Sequence, residues 1–83
     1  MIQKLNEDFL RDLHMLTVGI WSISTRAKSG DFVIEDDYDK DRLWLAVKSL
    51  RYMLEATDLS DPDCKDTQEI KEFMRSFKER GVW

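Results

Sequence analysis

Eighty-three residues, 42% hydrophobic and 36% charged, with one proline and three glycines, describe a folded chain and exclude a disordered one. A formal net charge of -4 and a pI near 4.9 set it apart from domains that hold nucleic acid by overall positive charge, while leaving room for a local basic patch. The single cysteine, Cys64, excludes an internal disulfide and any multi-cysteine metal site.

A chain of this length is one domain, and it buries only about 60% of the surface it exposes when unfolded. Lys4, Glu7, Asp8, Arg11 and Asp12 interrupt the first twelve residues, which no secretory h-region would tolerate. No apolar run approaches the roughly 18 residues that a membrane span requires. The expectation is a cytoplasmic protein with no membrane contact.

The first helix is predicted over residues 2–28. Ile2, Phe9, Leu16 and Ile23 recur every seven residues, and Leu13, Ile20 and Ala27 form a second row at the same interval. The two rows make one broad stripe. Met15, Val18 and Trp21 fall outside it, so the middle of this helix is apolar on more sides than one neighbour covers. Lys4, Glu7, Asp8 and Arg11 mark a solvated face near the start. At 1.5 Å per residue the rod is roughly 40 Å long. Gly19 sits inside it at about 1 kcal/mol relative to alanine, either as a tolerated defect or as a place where another backbone comes close. Gly30 is the expected left-handed stop.

Residues 30–37 form a connection whose Phe32, Val33 and Ile34 are expected to tuck back over the helices. The second helix is predicted over 38–57, capped by Asp36 or Asp37. Leu43, Val47, Leu50 and Leu54 form its buried row, widened by Ala46, Met53 and Ala56. Its outer side reads Trp44, Lys48, Arg51, Glu55. After the turn at Ser60-Asp61-Pro62 the third helix is predicted over 66–80, with Asp66 and Glu69 as a capping box. Ile70, Phe73, Met74 and Phe77 are its buried side. Gly81 ends it and lets Val82-Trp83 fold back.

The chemical motifs are weak. Asp37-x-Asp39-x-Asp41 opens like a calcium loop, but the sixth and twelfth positions, which need Gly and Glu, are Arg42 and Lys48. His14 has Leu10 and Val18 four residues away, so its own helix supplies no second metal ligand. Cys64 lies in a polar loop and is expected to be exposed, with no pattern that fixes its reactivity. The stretch from Ser24 to Gly30, with Arg26 and Lys28, could hold an anion. It closes a helix, however, where cations suit the dipole and phosphate sites are disfavoured. Residues 31–41 hold six carboxylates, dense enough to compete for the basic groove of a nucleic-acid-binding protein.

These residues together predict an all-α fold, a three-helix antiparallel bundle completed by dimerisation through Leu16, Gly19, Ile20 and Trp21. No catalytic residue, metal or cofactor is expected. The predicted role is a non-enzymatic one: an adaptor or stoichiometric inhibitor of the kind phages direct at host systems, an association made from size and charge. It would bind a protein partner through Trp44, Lys48 and Arg51, the aromatic-plus-cation composition of interface hot spots. The alternative is a nucleotide or nucleic-acid binder using Arg26, Lys28, Lys48 and Arg51, since an aromatic beside cations also stacks bases and holds phosphates.

Overall fold

The computed structural model describes the backbone of residues 2–83 and the side chains of residues 7–83. Three helices carry it: α1 (Ile2–Ser29), α2 (Asp37–Ala56) and α3 (Lys65–Glu79). No strand occurs among the described residues. The side chains of Ile2 and Lys4, placed above on opposite sides of the first helix, lie outside the described residues. No helix of the described residues is long and apolar enough to cross a membrane.

Two helices end in the same way. Gly30 takes φ 86°, its N–H reaches the Ala27 carbonyl at 3.3 Å, and the Asp31 N–H reaches that of Arg26 at 3.0 Å. Gly81 takes φ 74°, with Gly81 N–H to Lys78 at 3.2 Å and Val82 N–H to Phe77 at 2.9 Å. Each is a paired closing of orphan carbonyls around a left-handed residue, which only glycine adopts without strain. The second turns Val82-Trp83 back along α3, where the Trp83 ring stacks on Phe77 at 4.9 Å and 6°.

The helix starts differ from one another. Asp36 caps α2, its carboxylate accepting the Tyr38 N–H at 2.8 Å, with Asp37 and Asp39 in the first turn at the positive end of the dipole. At α3 the expected capping box does not form. Cys64 holds the cap position and makes no side-chain cap bond. Asp66 and Glu69 turn outward from their own helix to His14 on α1, a tertiary contact that claims both carboxylates.

The core is a cluster of Leu13, Leu50, Leu54, Ile70 and Phe77, with Ile20, Trp21, Leu59 and Met74 packed against it. α1 is the helix on which both others rest, and α3 follows it more closely than α2 does. The α1 rod sets the longest dimension of the molecule, 44 × 23 × 17 Å.

The apolar stripe predicted on α1 is only partly covered. Phe9, Leu16 and Ile23, one of its two rows, are 49%, 47% and 47% exposed. The buried side of α1 instead carries Leu13, Thr17, Ser24 and Thr25. The hydroxyls of Thr17, Ser24 and Thr25 donate to the carbonyls of Leu13, Ile20 and Trp21, four residues back, at 2.7, 2.6 and 2.6 Å. Satisfied this way, the hydroxyls carry no desolvation penalty, and these side chains bury as small apolar ones would. On α2, Val47, Leu50 and Leu54 are buried as expected, whereas Met53 and Ala56 are exposed.

Candidate binding surface

The three α2 residues singled out from the sequence share one cleft. Trp44, Val47, Lys48 and Arg51 line it from α2, and Val82 and Trp83 line it from the returned C-terminal segment, around a volume of about 220 Å³. The Arg51 guanidinium lies over the Trp83 ring at 5.4 Å, within cation–π range, and its Nε sits 3.5 Å from the Glu55 carboxylate. Lys48 is exposed and has no ion-pair partner among the described residues. The Trp83 indole N–H is buried without an acceptor among the described residues.

Trp44 borders a second cleft on its other side, of about 320 Å³, with Lys28, Phe32, Ile34 and Lys40 among its lining residues. Phe32 and Ile34 are half-buried there, as expected of a loop folded back, while Val33 is exposed. Arg26 stacks over Phe32 at 5.3 Å. One half-buried tryptophan thus separates a cleft edged by Lys28 and Lys40 from one edged by Lys48 and Arg51. This is a cationic strip on a chain of net charge -4.

The four residues assigned to self-association divide. Leu16 and Gly19 are exposed. Ile20 and Trp21 are half-buried against the rest of the chain. Ile20 packs on the core, and Trp21 donates from its indole to the Ser76 hydroxyl at 2.9 Å. The Trp21 ring also meets Phe73 edge-on at 5.3 Å and lies under the Arg80 guanidinium at 5.4 Å.

Sequence reasoning missed the partners of His14. Its Nδ1 lies 2.9 Å from the Asp66 carboxylate and its Nε2 2.8 Å from that of Glu69. The spacing of Asp66 and Glu69, three apart on one helix side, was the available signal. Because the ring sits between the two carboxylates, the three groups do not converge on one point. No cluster able to hold a metal ion occurs among the described residues.

Cys64 is half-buried at an acidic cleft of about 510 Å³, with Glu7, Arg11, Asp61, Asp63 and Asp66 around it. Asp37, Asp39 and Asp41 lie within α2 itself, distributed around its first turns rather than curled around a centre. Opposite the buried row of α2, Tyr38, Leu45 and Tyr52 stand exposed at seven-residue spacing.

Compared with protein-family models, curated proteins and solved structures, the chain matches none.

Proposed function

We propose that the protein acts without catalysis, as an adaptor or stoichiometric inhibitor, by docking a protein partner on the cleft formed by α2 and the C-terminal segment. The observation that carries this is the convergence of Trp44, Lys48 and Arg51 with Trp83 on one concave surface. Tryptophan offers a large area for little lost conformational freedom, and tryptophan and arginine are enriched at measured hot spots. Lys48 and Arg51 at the rim of an otherwise acidic chain favour an acidic segment of the partner. A cytoplasmic setting accords with one free thiol.

Two structural readings go with it. The bundle is read as antiparallel, with α2 returning along α1. Phe9 and Leu10 share a cleft with Ala56 and Thr57, and Ala27 and Lys28 share one with Lys40 and Trp44. The chain is also read as a dimer built on α1, supported by the exposed Met15, Leu16 and Ile23.

The alternative, a nucleotide or nucleic-acid binder, draws on the cleft where Lys28 and Lys40 flank Trp44, with Arg26, Lys48 and Arg51 near it. Binding of a labelled acidic amphipathic peptide and of a labelled single-stranded oligonucleotide, each across a salt series, separates the two. The docking reading expects the peptide to bind and to lose about thirtyfold in affinity on Trp44→Ala. Oligonucleotide binding whose affinity falls steeply with salt, with no binding of the peptide, would replace it with the alternative.

A further inference from the structure

α1 has a side turned away from Leu13, Thr17 and Ser24 that neither α2 nor α3 covers. Met15 is 66% exposed there, and Leu16 and Ile23 are 47% exposed. Gly19 lies in its middle, and a Cβ added at Gly19 would meet nothing within 4 Å. The residues around Gly19 are arranged as counterparts. Leu16 and Ser22 stand three residues to either side, Met15 and Ile23 four, Asp12 and Arg26 seven. Steps of three, four and seven return an α-helix to one side, so all of these share a single stripe. The stripe ends in opposite charges. Among the described residues neither Asp12 nor Arg26 enters an ion pair.

We infer that α1 pairs with α1 of a second copy, antiparallel, about a two-fold axis at Gly19. Each residue before Gly19 then meets the one equally far beyond it in the other copy. Asp12 faces Arg26 twice over, Met15 faces Ile23 twice, and Leu16 covers Ser22. Gly19 meets Gly19, where the missing side chains let the two backbones approach. A two-fold contact has to be complementary to itself, and this stripe is so in only one direction: a parallel pairing sets Asp12 on Asp12 and Arg26 on Arg26. The charge order therefore selects a second copy as the occupant. A single stripe with three apolar anchors is smaller than the roughly 800 Å² per partner of a standard interface, so the dimer dissociates on dilution.

The inference rests on the reading of the chain as a dimer built on α1, and it redraws the seam. Leu16 and Gly19 stay in it. Ile20 and Trp21, half-buried against the core on another side of the helix, leave it, and Asp12, Met15, Ser22, Ile23 and Arg26 enter.

Sedimentation equilibrium of the full chain over a concentration series tests it. Wild type is expected to pass from 9.9 kDa toward twice that mass as concentration rises. Asp12→Arg and Arg26→Asp each raise the dissociation constant about tenfold, since both symmetric pairs turn from attraction to repulsion. The double variant Asp12→Arg/Arg26→Asp returns it to within about threefold of wild type. Gly19→Leu abolishes the dimer, while its circular-dichroism melt at monomeric concentration falls no lower than wild type, because leucine is the better helix former. Wild type that stays monomeric to millimolar concentration overturns both this inference and the dimer reading beneath it. A wild-type dimer indifferent to these substitutions overturns the Gly19 crossing alone. A double reversal no tighter than the single ones also overturns it.

Discussion

α1 meets its two neighbours on different chemical terms. Toward α3 the contacts have direction: His14 between Asp66 and Glu69, the Trp21 indole on the Ser76 hydroxyl, and Trp21 edge-on to Phe73. Each fixes an angle as well as a distance, so together they set the register of two helices. His14 pairs near the start of α3 and Trp21 further along it, so α1 and α3 run the same way. α2 joins by burial. Among the described residues no side-chain hydrogen bond links it to either helix. Val47, Leu50 and Leu54 hold it by apolar area, which has no preferred direction. One helix is placed by geometry and the other attached by area, and the cleft around Trp44 belongs to the second.

The sharpest way to break the contrast is to remove area from α2. Leu50 is 1% exposed inside the core cluster, so Leu50→Ala is expected to destabilise the fold by about 2–5 kcal/mol. That is a large share of the 5–15 kcal/mol typical of a whole domain. Urea unfolding gives the magnitude, and amide exchange gives the place: α2 amides should lose protection before those of α1 and α3. A loss below about 1 kcal/mol would mean that α2 is held by something other than Leu50's burial.

On the α3 side the expected effect is smaller. His14→Ala removes the ring's contacts with two carboxylates, but Asp66 and Glu69 are only partly buried and can return to water, so about 1–2 kcal/mol is expected. A double-mutant cycle with Asp66→Asn isolates the pair, with a coupling of about 0.5–3 kcal/mol for residues in contact. A coupling near zero would reduce the α1–α3 seam to packing, and the contrast with α2 would disappear.

The same contrast explains what could be read from the chain beforehand. The α2 row Val47, Leu50, Leu54 and the α3 pair Ile70 and Phe77 are large aliphatic and aromatic residues at helical spacing, and burial by area leaves that mark on a sequence. The buried side of α1 leaves a fainter one. Thr17, Ser24 and Thr25 count as polar until their hydroxyls are seen to close on their own helix. The larger Phe9, Leu16 and Ile23 stand out at seven-residue spacing, yet they stay exposed. The His14 contacts span more than fifty residues of chain, and the spacing of Asp66 and Glu69 marks a shared helix side without naming the residue it faces. For the cleft, Trp44, Lys48 and Arg51 were legible as one side of α2. The contribution of Trp83 depended on the turn at Gly81, which the sequence marked by that glycine.

The loop from α2 to α3 is a third, weaker kind of attachment, built from local polar bonds. Asp58 accepts the Ser60 hydroxyl at 2.6 Å and the Ser60 N–H at 3.0 Å, and this turn holds Leu59 against the core. The Ser60 hydroxyl, then its N–H, and Lys71 more weakly, hold the Asp58 carboxyl below its ordinary value against a small opposing effect of burial. A carboxylate whose folded-state value is depressed adds stability above its unfolded value, about 3.9, and loses it as pH falls through the folded one. Ser60→Ala removes the leading cause. Its thermal midpoint should lie slightly below wild type at neutral pH, and the gap should close in acid, once Asp58 is protonated in both. A gap that stayed constant as the pH is lowered through the acid range would show the hydroxyl acting through the seating of Leu59 rather than through charge, and the loop would then belong with α2 among the parts held by area.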